Sequence, residues 1–107
     1  MEITIEMKAK PGKIQELYQT LQAILPTIRK EKGCRDCRIW RDLEDGEVFF
    51  LSAHWRAQER LEHYVRSASG GALLGAVDLL SETAKVRFGR DSACKGIDRL
   101  KRMRKKG

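Results

Sequence analysis

The sequence predicts an α+β protein of the ferredoxin-like kind, with the element order β-α-β-β-α(α)-β and a four-stranded antiparallel sheet. Three observations lead to this fold class. Apolar residues alternate with polar ones at the start of the chain, a long helical pattern follows, and two further strand patterns are joined by a turn at Asp45-Gly46. The 107 residues, 41% of them hydrophobic, are enough to build one domain with a core.

The first strand is predicted by Ile3, Ile5 and Met7, which alternate with polar residues and leave one buried face. Pro11-Gly12 ends it. From Lys13, apolar residues recur at helical spacing, which predicts a helix to about residue 30 or 31. Proline removes a hydrogen bond and crowds the preceding turn, so we expect Pro26 to kink or divide this helix.

The second and third strands form a predicted hairpin. Cys37, Ile39 and Arg41 indicate the second strand, and Glu47 to Trp55 is the most apolar extended run of the chain. Alternation along the third strand predicts two faces. One carries Phe49, Leu51, Ala53 and Trp55, and the other carries Val48, Phe50, Ser52 and His54. Neither face is strongly polar, so we expect both to be covered.

Two helices and a last strand complete the predicted domain. The helices are Gln58 to Ser67 and Ala72 to Glu82, with Gly70-Gly71 as the interruption between them. The alternation from Ala84 to Phe88 predicts the fourth strand.

The net charge of +7 is concentrated at the C-terminus, because residues 95–107 contain seven basic side chains and one acidic side chain. We therefore divide the chain into a ferredoxin-like domain, 1–91, and a basic C-terminal appendage, 92–107. Ile97, Leu100 and Met103 are spaced three apart, so part of the appendage could be helical and dock on the domain.

Composition argues against several classes of function. The basic segment has no aromatic residue to stack on bases and no recognisable DNA-binding motif, so nucleic acid is not the expected partner. No apolar run is long enough to span a membrane, and no signal peptide is evident. We therefore expect a cytoplasmic protein.

The pair Cys34 and Cys37 has redox-motif spacing but leads into a strand, where side chains three apart point to opposite faces. Thioredoxin-type chemistry prefers a helix N-terminus. A zinc site would need further ligands, and only Cys94 remains. Free thiols are expected here, with no metal site.

The predicted sheet has one face without helices. It combines Phe50 with polar side chains such as Thr4 and Lys85, and such a partly apolar face is typical of an interface. We predict a homodimer formed through this sheet face, as an isologous pair. His54 could pair there with Glu6.

Several stretches in order carry a family resemblance. They are Glu31-Lys32-Gly33-Cys34, Arg41-Asp42-x-Glu44-Asp45, the strand ending in Trp55, the helices Ala57 to Arg66 and Ala72 to Leu80, and Gly96-Ile97 with Arg102. Together they resemble the antibiotic biosynthesis monooxygenase (ABM) domain of the dimeric α/β-barrel superfamily. The resemblance implies monomers paired through their sheets. It also implies oxidation of small aromatic or quinol substrates by O₂, often with no metal or flavin, and we expect no cofactor.

The resemblance implies a pocket between sheet and helices in each protomer, suited to a small apolar or aromatic ligand. Its predicted walls are Ile5, Met7, Leu51, Trp55, Tyr64, Leu74 and Val77. Tyr64 is the candidate catalytic residue, because a phenol can hydrogen-bond a substrate hydroxyl or give a proton to reduced oxygen. Its alternative role is core packing. Trp55 could stack on a planar ligand, or simply fill the core.

The chain departs from the family at positions that matter for chemistry. Ala53 stands where many relatives have glutamate, and Tyr64 stands where a histidine is common. The chain has no asparagine, which the haem-degrading subgroup uses, so haem degradation by that mechanism is not expected. Two hypotheses remain: a cofactor-independent monooxygenase, or a non-catalytic dimer that binds a small molecule or serves as an interaction module.

Overall fold

A computed structural model of the chain describes residues 1–89 and 95–105. These ranges contain five strands and four helices. The strands are β1 (Glu2–Ala9), β2 (Cys34–Arg41), β3 (Val48–Trp55), β4 (Ser81–Phe88) and β5 (Lys95–Gly96). The helices are α1 (Ile14–Arg29), α2 (Gln58–Arg66), α3 (Ala68–Leu80) and α4 (Asp98–Lys105).

The strands form one sheet in the order β2-β3-β1-β4-β5, and neighbouring strands are antiparallel. The predicted ferredoxin-like fold with four antiparallel strands is confirmed. The two-residue strand β5 adds a fifth position at the edge beside β4, which the sequence pattern did not predict.

The alternation predicted for β3 is confirmed by burial. Phe49, Leu51, Ala53 and Trp55 are all buried on the face covered by the helices, whereas their neighbours are exposed or half-buried. In the centre of the sheet, Ile5 lies opposite Leu51. The core lies between this covered face and the helices. Full burial of one large apolar side chain stabilises the fold by roughly 1.5–3 kcal/mol.

Pro26 does not divide α1, which runs unbroken from Ile14 to Arg29. The proline lies in the last turn, so few residues must follow the helical path after it. Lys30 still donates its backbone N–H to the Pro26 carbonyl at 3.2 Å, which closes the helix end.

The predicted interruption at Gly70-Gly71 is wrong, because both glycines lie inside α3. The chain turns instead at Ser67, whose hydroxyl accepts a hydrogen bond from the Gly70 backbone N–H at 3.1 Å and so caps α3. A Cβ atom at position 70 would collide with the Tyr64 carbonyl oxygen. Glycine is therefore needed here for the close approach of α2 and α3.

The described part of the basic C-terminal segment packs on the domain. Ile97, Leu100 and Met103 are buried, which confirms that this stretch docks. Arg104 donates to the Val65 and Ser67 carbonyls at 2.5 and 2.9 Å, at the end of α2. The division at residue 91 stays a prediction, and Cys94 lies outside the described residues. Within the ranges described, no helix is long and apolar enough to cross a membrane.

Candidate functional site

A small cavity lies between the covered face of the sheet and the helices. Its volume is about 20 Å³, which is room for one water-sized molecule. Its walls come from two strands and all four helices, and they are almost entirely apolar. They are Ile3, Ile5, Ile28, Leu51, Ala53, Trp55, Leu61, Tyr64, Val65, Gly70, Leu73, Leu74 and Leu100.

Five of the seven predicted wall residues lie together around this cavity: Ile5, Leu51, Trp55, Tyr64 and Leu74. Met7 and Val77 are buried in the same core but do not line the cavity. The register explains the position of Met7, which lies opposite Phe49, towards the other end of the strands from Trp55.

Sequence analysis missed several walls of the cavity. Ile3 and Ala53 share the covered face with Ile5 and Leu51, so strand alternation was a signal that could have placed them there. Leu100 lines the cavity from α4. Its spacing with Ile97 and Met103 predicted that this stretch docks, but not where on the domain it does so.

The aromatic pair of the site is Trp55 at the end of β3 and Tyr64 on α2. Their rings stack with centroids 5.4 Å apart and planes inclined by 30°. Trp55 is 1% exposed, and its buried indole N–H has no hydrogen-bond partner within residues 1–89 and 95–105. A buried donor without a partner costs roughly 1–3 kcal/mol, so this N–H is available to an oxygen atom of a ligand.

Tyr64 is 3% exposed, and its hydroxyl lies 3.4 Å from the Ser69 hydroxyl oxygen. Burial raises the pKa of Tyr64 to about 12, although the hydrogen bond with Ser69 lowers it. At neutral pH this side chain is therefore a neutral phenol. It can donate or accept a hydrogen bond, but it is not present as a phenolate base.

The cysteines of β2 are free thiols, as predicted. Burial raises the pKa of Cys37 to about 12 and also raises the pKa of Cys34. Both thiols are protonated at neutral pH, whereas a reactive cysteine is a thiolate. Within the described ranges, no group of three or more His, Cys, Asp or Glu side chains is placed to hold a metal ion.

The other face of the sheet carries a second candidate surface. Trp40 and Phe50 stack there with centroids 5.3 Å apart and planes inclined by 7°, and Trp40 is 45% exposed. They line a groove of about 260 Å³ with charged and hydroxyl side chains. The other residues of this groove are Glu2, Thr4, Glu6, Ser52, Lys85 and Arg87.

The predicted pairing of His54 with Glu6 is wrong. The register places His54 opposite Glu2 on β1 and opposite Asp36 on β2. Glu6 lies further along β1, opposite Phe50 and Lys85. Pairing by residue type alone could not detect this offset, because it depends on how the two strands align.

Comparison with known proteins gives one family match. Residues 1–72 match the family described as antibiotic biosynthesis monooxygenase. No curated protein matches the chain.

Solved structures share the fold. A conserved protein from Methanosarcina mazei Go1 is 20% identical, with a TM-score of 0.77 over 85% of this chain and 91% of that one. PA3566 from Pseudomonas aeruginosa is 22% identical, with a TM-score of 0.77 over 86% and 93%. A structure described as an antibiotic biosynthesis monooxygenase is 14% identical, with a TM-score of 0.76 over 86% and 98%. At these identities the likeness establishes the fold alone.

Proposed function

Since this chain belongs to the antibiotic biosynthesis monooxygenase family, we propose that it is a homodimeric, cofactor-independent oxygenase for a small aromatic or quinol substrate. The observation that carries this proposal is the Trp55–Tyr64 pair. It sets one N–H donor, which has no partner among the residues that the structure describes, and one neutral phenol among apolar walls. Such a site favours a planar apolar molecule that carries few polar groups.

The substrate supplies the electrons in this reaction. A hydroxyarene with a free ring carbon loses its phenolic proton, and the anion transfers one electron to O₂. The resulting radical pair joins as a carbon–peroxide, which takes up a proton. Loss of water from that hydroperoxide, with the hydrogen of the same carbon, leaves a new carbonyl. One oxygen atom remains in the quinone product and the other leaves as water.

The protein binds the substrate and supplies hydrogen bonds at two steps of this reaction. The apolar walls exclude water, which strengthens every polar contact with the substrate. The indole N–H of Trp55 donates to an oxygen atom that becomes negative during the reaction. The hydroxyl of Tyr64 contacts the substrate hydroxyl, the role that the sequence analysis assigned to it.

Substrate binding requires the walls to move. A cavity of roughly 150 Å³ accommodates benzene, whereas this one is about 20 Å³. Among the described residues, α4 contributes one side chain to these walls, Leu100, so a small movement of α4 would enlarge the cavity. One ion pair, between Lys101 and Asp78 at 2.5 Å, also holds α4 to α3.

The almost wholly apolar lining of the cavity also favours a second candidate, a dimer that binds a small apolar molecule without reacting with it. Dihydroxynaphthalenes and hydroquinones separate the two. Quenching of tryptophan fluorescence with no O₂ uptake identifies a binding protein. Uptake that saturates with substrate, and that falls roughly tenfold or more in Tyr64→Phe, identifies the oxygenase.

A further inference from the structure

Three hydroxyl groups lead from the cavity wall to the protein surface. The Tyr64 hydroxyl lies 3.4 Å from the Ser69 hydroxyl oxygen, which lies 3.1 Å from the Thr27 hydroxyl oxygen. Tyr64 is buried, Ser69 is half-buried and Thr27 is exposed. The chain of hydroxyls therefore passes from α2 through the first turn of α3 to α1, where it meets solvent.

The hydrogen bonds of this chain have a direction. Thr27 Oγ1 lies 2.6 Å from the Ile24 carbonyl oxygen, which can only accept, so Thr27 donates there. A hydroxyl has one proton, so Thr27 must accept from Ser69, and Ser69 in turn must accept from Tyr64. The O–H groups of Tyr64 and Ser69 thus point towards Thr27, and the O–H of Thr27 points at the Ile24 carbonyl. Ser69 is the one hydrogen-bond partner of the phenolic oxygen of Tyr64 among the described residues, so this oxygen can also accept a proton.

We propose that Tyr64, Ser69 and Thr27 form a proton exit that carries the phenolic proton of the bound substrate to solvent. This inference rests on the proposed function, in which the substrate must first become an anion. The substrate O–H bond breaks and its electron pair stays on the substrate oxygen. The proton passes to Tyr64, whose own proton passes to Ser69.

The transfer ends at the surface. The exposed Thr27 hydroxyl first turns its O–H from the Ile24 carbonyl to a water molecule. The proton of Ser69 then passes to Thr27, and the proton of Thr27 passes to that water. Each of the three oxygens gains one proton and loses one, so the net change is a substrate phenolate and a hydronium ion. Rotation of the three hydroxyls then restores the starting arrangement.

The composition of the cavity offers few other acceptors for the substrate proton. Among the described residues that line it, Tyr64 is the one with an ionisable side chain, and the rest are apolar apart from the Trp55 N–H. Burial makes a tyrosinate costly, as the pKa of about 12 shows. A relay through neutral hydroxyls removes the proton without forming that ion.

Thr27→Val tests the relay, because valine has nearly the same shape but no hydroxyl. With 1,4-dihydroxynaphthalene as substrate, we expect kcat from O₂ uptake to fall roughly tenfold or more, with KM unchanged. Imidazole added as a small proton acceptor should restore part of the lost rate, which a merely structural role of Thr27 would not allow. Thr27→Ser should keep the wild-type rate.

Thr20→Val is the matched control, since Thr20 lies seven residues earlier on α1, about two helical turns away. It should leave kcat unchanged. Equal kcat in wild type and Thr27→Val would overturn the relay and leave the oxygenase proposal standing. No O₂ uptake by the wild type with any hydroquinone or dihydroxynaphthalene would overturn both.

A spectroscopic measurement tests the chain of hydroxyls without turnover. In a Tyr18→Phe background, Tyr64 is the one remaining tyrosine. The intensity ratio of the two bands in its Raman doublet reports whether the phenol donates a hydrogen bond. Ser69→Ala should shift the doublet away from the donor value and should lower kcat as Thr27→Val does. An unchanged doublet would show that Tyr64 does not donate to Ser69, and the relay would be wrong.

Discussion

The two faces of β3 differ although their residues alternate along one strand. On the covered face, Leu51 is 2% exposed beside a small apolar cavity of about 20 Å³. On the face without helices, here called the open face, Phe50 and Trp40 stack. Trp40 there lines two larger grooves of about 260 and 490 Å³ that contain charged side chains. We therefore expect a division of roles, with the proposed ligand chemistry on the covered face and the predicted association with a second copy on the open face.

The largest expected effect is loss of the proposed dimer on a change to the open face. Phe50→Glu places a carboxylate beside the Trp40 ring and opposite Glu6. We expect the dissociation constant of the dimer to rise about 100-fold or more, because charge replaces a central apolar contact. Analytical ultracentrifugation measures it, and circular dichroism checks that the fold is kept.

Leu43→Glu is the control for this change, since Leu43 is fully exposed in the hairpin loop away from the sheet face. It should leave the association unchanged. If Phe50→Glu and Leu43→Glu have the same dissociation constant for the dimer, then the open face is not the interface. The difference between the two faces would then not reflect association with a second copy.

The next effect compares neighbours on opposite faces. Leu51→Ala opens a larger void in a packed core and should lower the free energy of unfolding by about 2–5 kcal/mol. Ser52→Ala removes one long hydrogen bond from Thr4, 3.4 Å, and should cost less than about 1 kcal/mol. Urea unfolding at one fixed protein concentration measures both. Equal costs would show that the covered face is not the better packed.

Alkaline pH should destabilise the covered face. The pKa of Cys37 rises from 9.0 to about 12 and that of Tyr64 from 10.0 to about 12 on folding. Between these values the unfolded chain has lost protons that the folded chain keeps, so the free energy of unfolding falls as pH rises from about 9 to about 12. Urea titrations should show that the free energy of unfolding falls less over this pH range in Cys37→Ala and in Tyr64→Phe than in the wild type. An equal fall in the wild type and both variants would exclude these groups as its cause.

The smallest effect concerns the contact between α4 and α3 beside the cavity. Asp78→Asn removes the ion pair with Lys101, whose side chains are both about half exposed, and should cost less than about 1 kcal/mol. Backbone amides of α4 should exchange their hydrogens faster, whereas those of α1 should not change. Unchanged exchange in α4 would show that this ion pair does not hold α4 against α3.

Much of the fold was predictable because its signals are local. Alternation placed both faces of β3, and helical spacing placed α1. The boundary between α2 and α3 was misplaced because glycine usually interrupts a helix. Here Gly70 is required by the close approach of Tyr64, and the actual turn is at Ser67.

The candidate site was predictable only where it shares these local patterns. Leu51 and Trp55 follow from strand alternation, and Tyr64 follows from the spacing of α2. The cavity volume and the wall at Leu100 depend on packing between elements far apart in sequence. The contact between Thr27 and Ser69 joins residues 42 apart, so no pattern within one helix indicates it.

The central claim, that the covered face carries oxygenase chemistry, is tested most directly by O₂ uptake with hydroquinones and dihydroxynaphthalenes. We expect saturable uptake that depends on Tyr64. Adding catalase should release no O₂, because the second oxygen atom leaves as water and not as hydrogen peroxide. Binding without uptake above the uncatalysed rate would contradict it and would identify the protein as a binding module.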